Sequence, residues 1–451
     1  MGQALSSERI TEMCRLFSLY TLQSRALPHV TDGLKSAARR VLWCAKDGKK
    51  YKTASLAGGT LHLHPHAPPE SAINTMAAYW SNNIPLLSGT GAFGTLISPG
   101  DYGAGRYTYV QTSKFTNDVI FRDIEIVPMM ENYDSTEMEP IHFLPLVPTV
   151  LLNPQQGVAT GFSTNILPRA LIDILIAQIN HLNGENIKES LPNFTTTNNK
   201  CIKTETDSKG QLRYIFRGEY KKTSATTVKI INLPYGITHA KFMNKLDKLE
   251  DNSDKIVNII DNSKDIFNID IQFKRGFLSN STEEEIYKFL ELETKCTENL
   301  NVIDFNSESI HNTNYKELIQ DFSDWRLSWY STRYKRLKKL LELDIQKYRD
   351  IITAIDNDVG GLAKEIPSRN DLKHELKSFN IVNVDYIADL PVYRFTVDEK
   401  KKIKNKLSDA LKQLKDYNDI LRSEDRRRDI YVSELQEILV NAKKGKYKTI
   451  M

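Results

Sequence analysis

With 451 residues the chain is too long for a single hydrophobic core and implies about three domains. Its 40% hydrophobic and 26% charged residues are those of an ordinary folded protein. The net charge of +4, from 61 basic and 57 acidic side chains, excludes a uniformly basic surface, so any nucleic-acid contact must be a local patch. Two such patches exist: residues 1–60 hold ten Lys/Arg against four Asp/Glu, and residues 326–349 hold eight against two. Cys14, Cys44, Cys201 and Cys296 have no metal-type spacing and read as free thiols of a reducing compartment. No apolar run reaches membrane-spanning length and no signal peptide opens the chain, so a cytoplasmic location is expected. The opening "MGQALS" matches a myristoylation pattern, but nothing polybasic follows immediately, and it is read as coincidence.

Residues 8–50 read as mainly helical, broken at "ALPHVTDGLK", where proline and an Asp-Gly pair force a turn. "LKSAARRVLWCAK" carries Arg39 and Arg40 beside core-facing Val41 and Leu42. Short helices over about 53–58 and 69–81, joined by "HLHPHAPP", have the plan of a helix-turn-helix unit. "LLSGTGAFGTLISPGDYGAGRY" is too rich in glycine for a helix. Within it "GDYGAGRYTYV" packs small residues ahead of Arg106 and Tyr107, a composition that lets backbone lie close to a neighbour.

Between about 165 and 322 the texture changes. "QLRYIFRGEY", "TTVKIINLPY" and "IFNIDIQFKRG" alternate like strands, and "THAKFMNKLDKLED" is helical, which together predict an α+β domain. From Trp325, apolar residues through Ile355 share one face of a predicted helix. A second begins at Thr396, where Thr396 and Glu399 suggest a capping box, and Ile403, Leu407, Ala410, Leu414, Tyr417 and Leu421 recur at coiled-coil spacing. Two long helices separated by about 40 residues suggest an antiparallel hairpin with a small knob at its tip.

Four separated stretches carry a resemblance. "SRALPHVTDGLKSAARRVL" (24–42), "HPHAPPESA" (64–72), "LLSGTGAFGT" with Arg106-Tyr107-Thr108, and "NYDSTEMEP" with "PTVLLNPQQGVATGFSTNILP" (132–168) resemble the motifs of type IIA DNA topoisomerase cleavage subunits, the DNA gyrase A and topoisomerase IV A family. The compact length is similar to that of the family's members from T-even-type bacteriophages, for which the location would be the bacterial host cytoplasm.

The resemblance implies a helical and winged-helix DNA-cleavage domain over 1–165, an α+β tower over 166–322, and a long antiparallel coiled coil with a helical lower dimer gate over 323–430. A basic tail over 431–451 would follow. Tyr107 would attack a DNA phosphate to give a transient 5′-phosphotyrosine, opening a double-strand gate for strand passage. Arg106, Arg25, His64 and His66 would assist with charge and protons. Lys35, Arg39, Arg40 and Ser71 would contact DNA, and Val158 would replace the family's usual isoleucine as a wedge between base pairs.

Two departures lie near the DNA surface: the Ala67-Pro68-Pro69 spacer before Ser71 and the extra run "LISPGDYG" before Arg106. No Walker A sequence occurs. "AIDNDVGG" offers Asp356 and Asp358, but helical spacing precedes it, so a helix-ending loop is expected there and no metal residues are assigned. Magnesium and ATP would be bound by a partner, the ATPase and metal-binding large subunit, and a homodimer through the coiled-coil gate would cut double-stranded DNA on both strands. The rival reading is a catalytically silent DNA-bending dimer on the same scaffold. A second rival, a free-standing nuclease, needs metal carboxylates of its own. The absence of a wrapping domain argues against gyrase-like supercoiling.

Overall fold

The computed structural model describes residues 2–65, 69–159, 161–206, 208, 212–307 and 309–447. It is a mixed chain of helix and strand that divides into two compact units, residues 1–324 with 434–451, and residues 325–433. No described helix is long and apolar enough to cross a membrane.

The first unit begins with α1 (Gly2–Thr21), which widens into a π-helical turn over Leu22–Ala26. The turn forced by "ALPHVTDGLK" follows, then α2 (Ser36–Cys44). Next come β1 (Tyr51–Lys52), α3 (Thr53–Gly59) and α4 (Glu70–Ala77). β2 (Leu87–Thr90) and β3 (Tyr109–Thr112) join β1 in an antiparallel sheet with β3 in the middle. The short hairpin β4 (Met129–Glu131) and β5 (Met138–Pro140) precedes a second one, β6 (Gln155–Ala159) and β7 (Phe162–Ile166), in which Val158 faces Ser163.

After α5 (Leu171–Leu182), strands dominate, as the alternating sequence predicts. β8 (Asn193–Phe194), β9 (Asn199–Thr206), β10 (Leu212–Arg217), β11 (Glu219–Lys222) and β12 (Thr227–Asn232) lead to α6 (His239–Asn252). β13 (Ile256–Asp261), β14 (Ile269–Phe273), α7 (Phe277–Asn280), α8 (Glu283–Phe289) and β15 (Glu293–Thr297) complete two four-stranded antiparallel sheets, ordered β15-β10-β9-β8 and β11-β12-β14-β13. Inward residues of the second sheet, such as Val228, Ile230, Ile269 and Ile271, bury against Phe242 and Leu246 of α6 and Ile286 of α8. A genuine capping box starts α8, with Thr282 and Glu285 exchanging hydrogen bonds. The hairpin β16 (Leu300–Ile303) and β17 (Ile310–Thr313) returns to the start of the unit, where Val30 donates to Ile303 O and Ile303 donates to Pro28 O, both at 2.9 Å.

α9 (Tyr315–Asp356) is 42 residues long and starts ten residues before the expected Trp325. Tyr315, Leu318, Ile319 and Phe322 extend its apolar stripe and are all buried. In the second unit α9 runs antiparallel to α13 (Val397–Arg422), because Tyr334 meets Tyr417 edge-on at 5.4 Å while Asp356 pairs with Lys400. Between them α10 (Val359–Glu365), α11 (Arg369–Ser378) and α12 (Val384–Ala388) form the small knob around Ile351, Val359, Leu376, Ile381, Ile387 and Ile403. Thr396 caps α13 by accepting from the Glu399 N–H, while the Glu399 carboxylate turns to Arg394 and Lys402. Only the threonine half of the expected box is thus seen to form.

The expected basic tail is structured through residue 447. α14 (Glu424–Lys443) continues through it, and Tyr447 is buried against Phe115 with its hydroxyl 3.2 Å from Asp118 Oδ2. Tyr431, Leu435 and Ile438, spaced by four and three residues among charges, are the stripe that holds this helix.

Candidate functional site

Tyr107 stands two residues before β3, at the end of the glycine-rich stretch. Its own N–H donates to Ala104 O at 2.8 Å, closing a tight turn. The turn is fastened on both sides to the start of α3: the Thr53 N–H donates to Thr108 O at 3.0 Å and the Ala54 N–H to Gly105 O at 3.1 Å. The Thr108 hydroxyl adds a 2.7 Å bond to that of Thr53, and the Gly103 N–H reaches Ala92 O at 2.9 Å. A Cβ on Gly105 would lie 2.9 Å from Glu70 Oε1 and 3.1 Å from the Ala54 nitrogen, so glycine is what lets this backbone approach α3 and α4. The Tyr107 side chain itself is 70% exposed. The Arg106 guanidinium carbon lies 5.0 Å from its ring centroid, within cation–π range. A rigid backbone therefore holds out a phenol with a permanent cation beside it.

Arg25, Arg40 and His64 line one small cleft with Tyr20, Ser24 and Pro69. The Tyr20 hydroxyl is 3.3 Å from His64 Nε2, and Tyr133 meets the His64 ring edge-on at 5.8 Å. Arg40 is held by a bidentate pair with the buried Glu139, at 2.6 and 2.9 Å. Tyr107 does not line this cleft; it belongs to the neighbouring loop that touches the first residue of α4. Ser71 is exposed on the first turn of α4, with the Thr75 hydroxyl donating to its carbonyl at 2.9 Å. His66, Ala67 and Pro68 lie outside the described residues.

Arg39, expected to contact DNA, faces the protein interior instead. It is buried, with Nε 2.7 Å from Asp32 Oδ2, and with Nη2 3.0 Å from Asp32 Oδ1 and 3.1 Å from Leu34 O. Burial would raise the Asp32 carboxyl, but the Arg39 charge and the N–H donors around it prevail and keep it below the usual range. A buried charge persists only when paired and hydrogen-bonded in this way. Arg39 therefore shapes the turn that precedes α2.

Lys35 is half-buried, and its Nζ donates to Gln156 O at 2.7 Å, on the outer edge of β6. Burial lowers its pKa. That strand carries Val158, which is 83% exposed and does not pack inward. Gly157 lies so close to the π-helical turn that a Cβ there would collide with the carbonyl oxygen of Ala26. Because side chains alternate along a strand, the face opposite this contact is the one that presents Val158 to solvent. The extra run before Arg106 has its own anchor, since Leu96 and Ile97 pack on the apolar core of the second four-stranded sheet.

Asp356 ends α9 and pairs with Lys400, while Asp358, at φ +45°, caps α10 by accepting from the Gly361 N–H at 3.2 Å. This is the helix-ending loop that the spacing predicts. Among the described residues no three His, Cys, Asp or Glu side chains converge as a metal site. Sequence reasoning missed Tyr20, Asp32 and Glu139, whose partners lie on other elements; only Asp32, within the same turn motif as Arg39, was open to a local reading.

The family model for the A-type subunits of DNA gyrase and topoisomerase IV matches residues 25–436. The chain is 30% identical to the DNA topoisomerase medium subunit of Enterobacteria phage T4, over 94% of this chain and 96% of that protein. It is 28% identical to the A-type DNA gyrase subunit of Chlamydia trachomatis, over 96% of this chain but 55% of that one, so it spans about half of the gyrase subunit. The DNA-binding, cleavage and re-ligation domain of Plasmodium falciparum topoisomerase II has the same fold, with a TM-score of 0.80 at 21% identity, over 94% of this chain and 64% of that one.

Proposed function

Since the chain belongs to the family of A-type DNA gyrase and topoisomerase IV subunits, we propose that it is the DNA breakage-and-rejoining subunit of an ATP-dependent type II topoisomerase, with Tyr107 as its nucleophile. The observation that carries this reading is the exposed phenol on a loop pinned by backbone hydrogen bonds, with Arg106 against its ring. The Tyr107 oxygen attacks a backbone phosphorus, an O–P bond forms, and the bond to the 3′ oxygen breaks to leave a 3′-hydroxyl. The phenolic proton passes to solvent as the new bond forms and the departing 3′ oxygen takes one up from solvent, and the 3′-hydroxyl resealing the strand reverses every step. Arg106 opposes the charge that builds on the phosphate, where a preorganised donor has its largest effect. Arg25, Arg40 and His64, gathered in one cleft beside α4, bind the adjoining phosphates; Lys35 and Ser71 contribute to the same surface, and His66 belongs to it by motif.

Val158 is the wedge that opens a base step, supported by its exposure at a hairpin end. Residues 1–165 form the helical and winged-helix cleavage domain, 166–322 the tower, and 323–430 the coiled coil and lower gate. Two copies joined through the knob, where Val392, Tyr393 and Val397 expose apolar surface, present two tyrosines to opposite strands. Magnesium, which when bound stabilises charge on the attacking and leaving oxygens, and ATP are held by a partner protein. The name of the phage T4 relative, a medium subunit, supports a multi-subunit enzyme. Such an enzyme works where the DNA is, in the cytoplasm of a bacterial host.

The test is the covalent complex. Reconstituted with its ATPase partner and magnesium, the wild-type chain leaves protein attached to 5′ DNA ends after denaturation. Tyr107→Phe binds DNA with unchanged affinity and leaves none. A Tyr107→Phe chain that still forms the adduct refutes the assignment, and a wild-type chain that bends DNA without any adduct establishes the silent DNA-bending dimer instead.

A further inference from the structure

A wedge works only if its support does not yield. Opening a base step costs a few kcal/mol, and that force returns through Val158 into the hairpin β6–β7. Two five-residue strands are marginal by themselves in water, so something else must hold them.

On the β6 side the hold comes from the first turn region of the unit. Gly157 rests on the Ala26 carbonyl, and Lys35 Nζ bonds Gln156 O. On the β7 side the hold comes from side-chain amides at the start of the last hairpin. Asn299 Nδ2 and Asn301 Nδ2 each donate to Ser163 O, both at 2.8 Å. Ser163 is the cross-strand partner of Val158. Its carbonyl points away from β6 toward β16, and the two amides fill both of its lone pairs. The network continues outward: Asn312 Nδ2 donates to Asn301 Oδ1 at 2.7 Å, fixing which way that amide faces. The backbones of Asn165 and Asn299 exchange hydrogen bonds at 3.0 and 2.9 Å just below. Two side-chain amides thus converge on the residue opposite the wedge, beyond what the backbone ladder alone supplies.

We propose that Asn299 and Asn301 are positioning residues for DNA bending: their paired amides on Ser163 O brace the hairpin so that Val158 enters the duplex instead of folding back. The inference rests on the wedge reading of Val158, and the experiment separates the two. DNA bending is read by energy transfer between labels at the two ends of a duplex, using the reconstituted holoenzyme. The variants are Asn299→Ala/Asn301→Ala, Asn299→Asp/Asn301→Asp and Val158→Ala. A second set of duplexes carries a symmetric pair of mismatches, stepped along the site to serve as preformed hinges.

Both double variants lower the bent population on matched DNA about tenfold, the effect of losing two amide hydrogen bonds. Aspartate is isosteric with asparagine but cannot donate, so it fails as alanine does. Affinity for unbent DNA is unchanged, and the best-placed mismatch restores bending. If the double alanine variant bends DNA normally while Val158→Ala does not, the brace is refuted and the wedge stands. If bending falls and no mismatch restores it, the asparagines serve general stability and the positioning role is refuted. If Val158→Ala bends normally, the wedge reading itself falls and takes the brace with it.

Discussion

The loop of Tyr107 and the hairpin of Val158 both hold a side chain out into solvent, at 70% and 83% exposure, but they are held by different means. The tyrosine loop is sewn by main-chain hydrogen bonds to α3, and its special residues are glycines that permit close approach. The hairpin has one close-approach glycine, Gly157, and one backbone exchange, between Asn165 and Asn299, and adds side chains to them: Lys35 on one strand and Asn299 and Asn301 on the other, each more than 120 residues away in sequence. A backbone scaffold suits a nucleophile that must meet one phosphorus atom within a fraction of an ångström. A side-chain brace suits an element that bears load against a deformable duplex.

The hairpin should be the more easily broken of the two. Gly157→Ala places a methyl against the Ala26 carbonyl, a backbone atom with no room to retreat. The hairpin must lift, which costs about 1–3 kcal/mol. The expected result is a lower melting temperature together with loss of DNA bending, measured by thermal unfolding and energy transfer.

The turn that precedes α2 is sensitive to acid. His29 is buried, with Nδ1 2.7 Å from Thr31 Oγ1 and Nε2 2.7 Å from Ser307 Oγ. Burial, helped by the Arg39 charge and by His142 alongside, pushes its pKa down to about 3, against 6.5 for the free side chain. The unfolded chain therefore takes up a proton that the folded chain refuses. Stability from this group is complete above pH 6.5 and falls by about 1.4 kcal/mol per unit as the pH drops toward 3. Buried His142 shifts in the same direction. Between pH 7 and 5 the unfolding free energy should fall by about 2 kcal/mol through His29 alone. His29→Gln, which cannot titrate, should flatten that slope in a denaturant titration.

Gly105→Ala should be the mildest of these changes. The added methyl meets the end of the flexible Glu70 side chain first and the Ala54 nitrogen at 3.1 Å, so small shifts accommodate it. Melting should be unaffected, while DNA cleavage slows about tenfold as the loop is displaced by a few tenths of an ångström. An unaffected cleavage rate would mean that the loop is not a rigid platform for the phenol.

The contrast between the regions also explains what could be read from sequence. The glycines and the Arg106-Tyr107 pair sit within one short stretch, so composition alone marks the tyrosine loop. Thr396 and the Asp358 turn were legible for the same reason, because caps are local. Arg39 was misread: whether an arginine on a helix faces phosphate or a buried carboxylate depends on Asp32, a partner reached only when the preceding turn closes. The ordered tail was missed because Tyr431, Leu435 and Ile438 lie in a charged stretch whose apolar stripe matters only once another surface covers it. The asparagine brace carries no sequence signal at all. Polar residues in strands are common, and nothing in "TENLNV" reveals that two amides converge on one carbonyl.

The most direct test of the account is to find the atom that joins protein to DNA. The trapped covalent complex is digested with nuclease and protease, and the peptide that retains a nucleotide is sequenced by mass spectrometry. The account predicts a single 5′-phosphate-linked nucleotide on the oxygen of Tyr107. A nucleotide on any other residue, such as exposed Tyr102 on the same loop, would contradict it.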